Sequence, residues 1–470
     1  MKGGIPVGNA RTEDLEMKIP ALLHLSRLGF FYLSRDQLRF RDRKTNILPD
    51  VLMAAAERIN GATFSAERCS RLMEDLQALL DAEDLGKAFY GTVRDGWEGV
   101  RLIDFKNPEN NLFQSAAELS CGSGAGSFRP DITLFVNGLP LAMIEVKTGA
   151  RPRGLQAEYD RMLERSRGEG GRRYLQCAQV WAFSDGRGDE PDRLLPMDGA
   201  FFAAVMTDGF PLHTLRGGRA VLRRTLTRNE EEERRILKDA GIGQSPHTLA
   251  FRRGLSPEKP AHRMLTALFS PERFLFLLRY GIRYMRETDP AGKEYLTRRM
   301  LTIPQLSALR SLPGKAARGW LNWTLPPFGA AGEQAVNASL AALLRDLAPE
   351  ARLYWVSADE EELRRDLSSL RSCGVSCAPR EGAAEAQLKL LTAVGDPQGW
   401  LGEAGEREFT GPRVFVLPRI PPRYGQKGSF PARLRRADPG AVLVTRNTER
   451  APEGGGNVAI LLAAGAIPGS

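Results

Sequence analysis

The stretch RPDITLFVNGLPLAMIEVKTG (129–149) decides the reading of this chain. Two runs of strand formers, DITLFV and LPLAMIEVK, flank Asn137-Gly138, a strong short-range hairpin signal. Side chains alternate along a strand, so Glu145 and Lys147 share one face of the second run. A strict two-residue loop pairs 136 with 139. It sets Asp131 opposite Ile144, on the wrong face for Glu145. A three-residue loop or one bulge pairs 136 with 140 and brings Asp131 opposite Glu145. We therefore expect an irregular turn, with which Pro140, lacking an N–H for the ladder, is compatible.

Two carboxylates facing each other at a strand end, beside a lysine, suit a hard divalent cation. Magnesium takes one or two carboxylates and fills its shell with waters and substrate phosphate oxygens. Glu145 and the Val146 backbone carbonyl would complete a site begun by Asp131. Lys147 would orient or help deprotonate an attacking water, or neutralise charge developing on a phosphate. A Glu–Lys pair two apart is by itself an ordinary solvated face. Here it follows a Pro-Asp pair across an apolar hairpin, where buried carboxylates need a partner.

Outward from this stretch, 13–33 and 64–90 carry apolar residues at helical spacing, with Leu72, Leu76, Leu79 and Leu80 on one stripe. VRLIDF, LFQSAAELS, DITLFV and LPLAMIEVK read as short strands over 100–147, and 155–168 reads as a helix. CAQVWAFSD (177–185) and FFAAVMTDG (201–209) read as buried strands, so one α/β domain covers 1–215. Residues 216–260, with EEERR (231–235) inside an expected helix and SPEKP (256–260), read as a charged connector. From 261 to 470 strand and helix alternate. Helices are expected around 271–286, 303–310, 331–347 and 359–371, with strands at 319–323, 352–357, 413–418 and 441–446. That alternation predicts a parallel sheet, followed by a Gly/Pro-rich tail from 450.

Composition bounds the rest. Of 470 residues, 42% are hydrophobic, enough for real cores. No apolar run reaches membrane-spanning length and the N-terminus lacks a signal-peptide core, so a cytoplasmic protein with no membrane association is expected. Five scattered cysteines make neither a disulfide framework nor a zinc site. Four histidines, none in a paired spacing, argue against histidine-based chemistry. The +9 net charge hints at a polyanionic partner without deciding it. Basic residues cluster at 216–228 and 422–436.

The stretch 129–147, with LIDFKNPENNLF (102–113), AFSDG (182–186) and VMTDG (205–209), resembles the PD-(D/E)xK nuclease core. More closely, it resembles the N-terminal nuclease domain of type I restriction enzyme R subunits. The resemblance covers roughly residues 10–215. It implies Mg2+-dependent cleavage of DNA by Asp131, Glu145 and Lys147, with Mn2+ expected to substitute. It also implies a carboxylate from the first helix, for which Glu13 and Glu16 are the candidates. A Gln and a Tyr four apart on the helix after the lysine belong to the pattern. Here Gln156 and Tyr159 are three apart, and Gln176 and Gln179 are alternatives.

In that family a DNA-translocating motor follows the nuclease, and 261–470 resembles its first RecA-type lobe. SPERFLFLLRYGIRYM (270–285) is similar to the family's connection, and PQLSAL (304–309) sits at the start of the lobe. A phosphate loop needs exposed backbone N–H groups, a Lys and a Ser or Thr. TLPPFGAAGEQ (324–334) offers Pro326, Pro327 and Glu333 instead, and Gly314-Lys315 is followed by Ala316. Where an acidic box is expected stand Leu417, Pro418, Arg419 and Ile420, and AVLVTRNTER replaces a TGTP-like turn. With no second lobe read either, the expectation is a pseudo-motor lobe without an ATP site.

The leading expectation is thus an α/β protein, a PD-(D/E)xK nuclease domain followed by one degenerate RecA-like lobe. It would serve restriction or anti-phage defence, cutting DNA without its own translocation and depending on a protein partner for recognition or translocation. The alternative is a non-catalytic assembly or DNA-binding subunit with a vestigial nuclease fold. A small-substrate α/β enzyme lacks a phosphate loop, a nucleophile elbow and a metal-binding histidine cluster.

Overall fold

Asn137 and Gly138 have φ of 53° and 79°, the pair of left-handed residues that a tight two-residue hairpin turn requires. They join strands that define the centre of the first sheet. The computed structural model describes residues 17–122, 127–147, 154–184, 200–203, 213–214, 227, 229–241, 260–312, 321–324, 330–380, 388–419, 427–447 and 460–462. The chain divides into two compact units. The first holds the described residues up to Ile282 and the second those from Arg283 onward.

The first unit opens with helix α1 (Ile19–Leu28) and the short strand β1 (Phe31–Tyr32), followed by helices α2 (Pro49–Asn60), α3 (Ala66–Asp81) and α4 (Lys87–Asp95). Strands β2 (Phe113–Ala117), β3 (Ile132–Val136) and β4 (Leu139–Val146) form the central meander. Helices α5 (Gly154–Arg167) and α6 (Glu169–Cys177) then lead to β5 (Val180–Ser184), which runs parallel to β4. With β6 (Ala200–Ala203) and β7 (His213–Thr214) the sheet has seven strands in sequence order. A crossover of two helices between β4 and β5 is what a parallel connection needs. One face packs Tyr159, Met162, Leu163, Tyr174 and Leu175 of the crossover helices against Phe135, Met143, Trp181 and Phe183.

The hairpin reaches the expected register by a bulge, placed in the strand and not in the turn. The turn is strictly two residues, with Val136 opposite Leu139 and Phe135 opposite Pro140. A bulge then absorbs Leu141, so Leu134 faces Ala142 and Ile132 faces Ile144. The irregularity lies in the strand, beyond the turn. A bulge shifts the register by one residue without giving up the favoured turn geometry.

VRLIDF does not form a strand. Residues 102–111 wind into a polar brace under the turn. Asp104 accepts N–H bonds from Lys106, Asn107 and Asn110. Asn111 Oδ1 accepts from the Asp104 amide and from Asn137 Nδ2, both at 2.9 Å. Asn137 is fully buried and also donates to the Leu102 carbonyl. Burial pushes the Asp104 carboxyl up, but its ring of N–H donors outweighs this and brings it down to about 2. The Asn- and Asp-rich stretch is therefore structural, and it fixes the hairpin from below.

The boundary also differs from the expected one. Residues 230–239 form helix α7 (Glu230–Asp239), and Pro260–Phe269 forms α8. Both pack on α1 within the first unit. The helix expected over EEERR is present, but Glu232 and Glu233, read as part of a charged connector, are buried. Glu232 accepts the Tyr32 amide at 2.6 Å, and Glu233 pairs with Arg27 at 2.8 Å. His24 and His262 stack with ring centroids 4.6 Å apart, tying α1 to α8. The expected helix over 271–286 runs as α9 (Pro271–Phe276) and a π turn to Gly281, then becomes strand β8 (Ile282–Thr288). Its partner β9 (Glu294–Met300) makes a two-stranded sheet that periodicity missed.

In the second unit, α10 (Ile303–Arg310) opens with a capping box between Thr302 and Gln305. Then follow β10 (Leu321–Thr324), α11 (Ala330–Leu347), β11 (Arg352–Ser357), α12 (Glu360–Ser372), β12 (Cys377–Pro379) and β13 (Leu388–Thr392). After two short helices come β14 (Arg413–Leu417), α13 (Phe430–Ala437), β15 (Val442–Asn447) and β16 (Ile460–Leu462). The sheet runs in the order β12, β13, β11, β14, β15, β10, β16. All neighbours are parallel except the edge strand β16. The expected parallel α/β sheet is thus present, with β12, β13 and the edge strand β16 additional to those anticipated. Among the described residues no helix is long and apolar enough to cross a membrane.

Candidate active site

Continuing the ladder one step past Ile132 and Ile144 places Asp131 opposite Glu145, as the bulged register requires. Asp131 Oδ2 accepts the Val146 amide at 2.9 Å, and its carbonyl accepts the Glu118 amide at 3.1 Å. Its carboxylate is therefore oriented by backbone across the hairpin. Glu145 sits in the buried strand β4, only 3% exposed, and its Oε1 atom has no hydrogen-bond partner. Burial pushes the Glu145 carboxyl well above the ordinary range; the Asp131 and Glu158 carboxylates add to the push, and Lys147 opposes it. Two acids crowded in a low-dielectric setting make a place where positive charge is favoured.

Lys147 follows β4, and its amide donates to the Ser184 carbonyl at 2.8 Å. Its ammonium lies 3.7 Å from Oε2 of Glu158. Glu158, on α5, is also held by Arg161 at 2.9 Å. Asp131, Glu145 and Lys147 are thus gathered at one end of the hairpin. Glu158 is the acid that sequence reasoning missed. Its signal was available, because Leu155, Tyr159, Met162 and Leu163 give the buried face of α5, and Glu158 falls beside that face.

Other candidates are placed differently. Glu13 and Glu16 lie outside the described residues, as does the Gln156 side chain. Tyr159 is a core residue, its ring centroid 6.3 Å from that of Trp181 and 5.9 Å from that of Phe183. Gln176 donates to the Ala82 carbonyl and Gln179 to the Gln176 carbonyl, so both serve backbone. Segment 205–209 and the basic cluster at 216–228, Thr227 apart, fall outside the described residues. In the cluster at 422–436, Arg433 donates to the Ala393 carbonyl.

Among the described residues, no three His, Cys, Asp or Glu side chains form a metal-binding cluster. A cation here would rest on the Asp131–Glu145 pair and on oxygens from backbone, water or substrate. That is an arrangement Mg2+ tolerates.

Residues 10–188 match the family described as type I restriction enzyme R protein N terminus. The match spans α1 to β5 and includes the whole constellation. This part of the chain is accordingly type I restriction R subunit-like. Over 48 residues the chain is 50% identical to a putative type I restriction enzyme MjaVIIIP endonuclease subunit of Methanocaldococcus jannaschii, which is 10% of this chain and 5% of that protein. Over 78 residues it is 40% identical to the type I restriction enzyme HindI endonuclease subunit of Haemophilus influenzae, covering 14% and 7%. The matched stretches thus span only a small part of those relatives.

Proposed function

We propose that the first unit is a metal-dependent DNA nuclease of the PD-(D/E)xK type, acting as the endonuclease component of a restriction or defence system. The observation that carries this reading is the Asp131–Glu145 juxtaposition, with a buried unpartnered oxygen on Glu145 and Lys147 beside it. That oxygen is what a bound cation would satisfy, so the residues fit Mg2+ held by Asp131, Glu145 and the Val146 carbonyl. When bound, the ion would polarise a phosphate oxygen and lower the pKa of water.

The chain's own groups supply the rest. Asp131 is oriented by the Val146 amide, so its carboxylate is set beside Glu145 without reorganisation. Lys147 carries the positive charge that would hold the attacking water or the developing phosphorane charge. Glu158, paired with Arg161, would hold that ammonium in place. DNA is the proposed substrate, and a partner subunit the proposed source of site choice.

The second unit is proposed to be a RecA-like lobe without an ATP site. Supporting this, β10 leads to α11 and lies two strands from β14, the strand that would carry an acidic box. At the end of β14, Arg419 stands instead, 2.6 Å from Glu362 and 3.7 Å from Glu333 of α11.

The test is cleavage of linear, circular and single-stranded DNA with Mg2+ or Mn2+, with and without ATP, by wild type, Asp131→Ala and Lys147→Ala. Metal-dependent cutting that both substitutions abolish, indifferent to ATP, is the expected result. No cutting and no Mn2+ binding by the wild type would overturn it and favour a vestigial nuclease fold.

A further inference from the structure

The segment between β1 and α2, SRDQLRFRDRKTN (34–46), is basic, and its charges are sorted by direction. Leu38, Thr45 and Asn46 are buried, and Arg41 and Asp42 are half-buried. Arg41 donates to Asn46 Oδ1, to the Leu38 carbonyl at 2.8 Å and to the Ser120 carbonyl. Asp42 accepts the Thr45 amide at 2.9 Å, and its own amide donates to the Ile47 carbonyl at 2.8 Å. These bonds hold the loop in one shape. Arg35, Arg39, Phe40, Arg43 and Lys44 are left in solvent. The Arg35 and Arg39 side chains are 75% and 77% exposed, and the Phe40 ring is 74% exposed.

Two features separate this surface from an ordinary solvated loop. A large aromatic ring stands in water between two arginines on a braced turn, where a polar residue would cost nothing. Single exposed apolar residues are common, but an aromatic interleaved with cations is the combination that stacks on a base or wedges a groove while neighbours neutralise phosphates. The second feature is location. Arg35 lies 3.7 Å from Oε2 of Glu118, and the Glu118 amide donates to the Asp131 carbonyl. Glu118 itself has φ of 50°, and Lys18 holds it at 2.7 Å. The basic surface therefore abuts the backbone that presents Asp131.

We propose that this loop is a DNA-docking surface, with Arg35, Arg39, Arg43 and Lys44 against phosphates and Phe40 against a base or sugar, seating the duplex beside Asp131. The inference rests on the reading of the first unit as DNA-acting. The only opposing charge exposed on the loop is Asp36, which pairs with Arg39 at 3.0 Å. A partner of acidic protein character would use the cations but would leave the salt dependence of DNA binding untouched.

The test measures binding of the full chain to a labelled duplex in EDTA by fluorescence anisotropy over a salt series. It compares wild type, Phe40→Ala, Phe40→Trp and the triple variant Arg39→Ala/Arg43→Ala/Lys44→Ala. Every changed side chain is exposed, and thermal unfolding checks that the fold is kept. The triple variant is expected to bind more weakly, with the slope of log K against log salt flattened by about 3 units. Phe40→Ala is expected to lose affinity about 5-fold or more, with Phe40→Trp restoring it. Unchanged affinity and slope in the variants, or no DNA binding by the wild type, would overturn the proposal. Because binding is read without metal, the outcomes separate: wild type that cuts while the variants bind normally removes the loop's role and keeps the nuclease. Weakened variants beside a wild type that never cuts keep the docking surface and remove the nuclease.

Discussion

The Asp131 carboxylate accepts the backbone amide of Val146 at 2.9 Å, across a hairpin whose bulge at Leu141 makes the meeting possible. Without the extra residue Asp131 would face Ile144, and one acid would point away from the other. Asp131 therefore closes the strand end through one oxygen, and under the proposed function its charge would also serve the cation.

Those duties can be separated. Asp131→Asn keeps an acceptor for the Val146 amide and removes the charge. Its thermal midpoint should stay near that of wild type, whereas Mn2+ affinity measured by calorimetry should fall at least about 10-fold, the scale at which even indirect changes around a metal act. An Asn variant that bound Mn2+ like wild type would remove Asp131 from the ligand set.

Gly138 tests the turn. Its φ is 79°, and an added Cβ would lie 2.7 Å from the Leu48 carbonyl oxygen, whose residue also donates its amide to the Gly138 carbonyl. Gly138→Ala thus meets both backbone strain and a backbone clash. A loss of about 2 kcal/mol in unfolding free energy is expected by urea titration, from the left-handed conformation and the overpacking together. An unchanged midpoint would mean that the hairpin does not depend on this turn.

The hairpin, the Asp131–Glu145 pairing and most strands of both sheets were legible because each rests on local signals: Asn-Gly, alternation and β-branched runs. What escaped depends on distant partners. Glu232 and Glu233 read as part of a charged connector, yet they pack against Tyr32 and Arg27. VRLIDF has strand composition, but Asp104 and Asn111 compete for its backbone with side-chain hydrogen bonds. The apolar run from Phe274 to Met285 has no periodic break, so its change from helix to strand at Ile282 leaves no trace in spacing. Glu158 escaped for a similar reason, because a carboxylate flanking an apolar helix face reads as solvated until Lys147 is found beside it.

The stacked pair His24 and His262 gives the first unit an acid-sensitive seam. Burial first, then His262 and Arg27, lower the His24 pKa from 6.5 to about 3. Between those values the unfolded chain takes up a proton that the folded chain refuses. Stability from this group is complete above about pH 6.5 and is lost as pH falls toward 3, with a limiting slope of about 1.4 kcal/mol per pH unit. His24→Gln, which can still meet Thr266, should flatten the acid limb of stability measured by denaturant between pH 6.5 and pH 4. Parallel acid limbs in the two proteins would exclude His24 as the group responsible.

Arg419, two residues past β14, closes an ion pair of 2.6 Å with Glu362, which is 4% exposed; if the second unit is RecA-like, as proposed, this is where a carboxylate would be expected. That buried acid depends on the arginine for its charge balance, although the Ala358 amide also donates to it. Arg419→Ala should therefore destabilise the protein by about 1–2 kcal/mol in urea unfolding, between the worth of an exposed pair and that of a buried one. The pair also brings Arg419 to within 3.7 Å of Glu333, so two acids and a base crowd the segment facing the start of α11. Phosphate placed there would meet two carboxylates. MgATP should accordingly leave the thermal midpoint unmoved, and no phosphate should be released with or without DNA. Hydrolysis that survived purification and was lost on Arg419→Ala would overturn the proposal of a lobe without an ATP site and make this ion pair part of one.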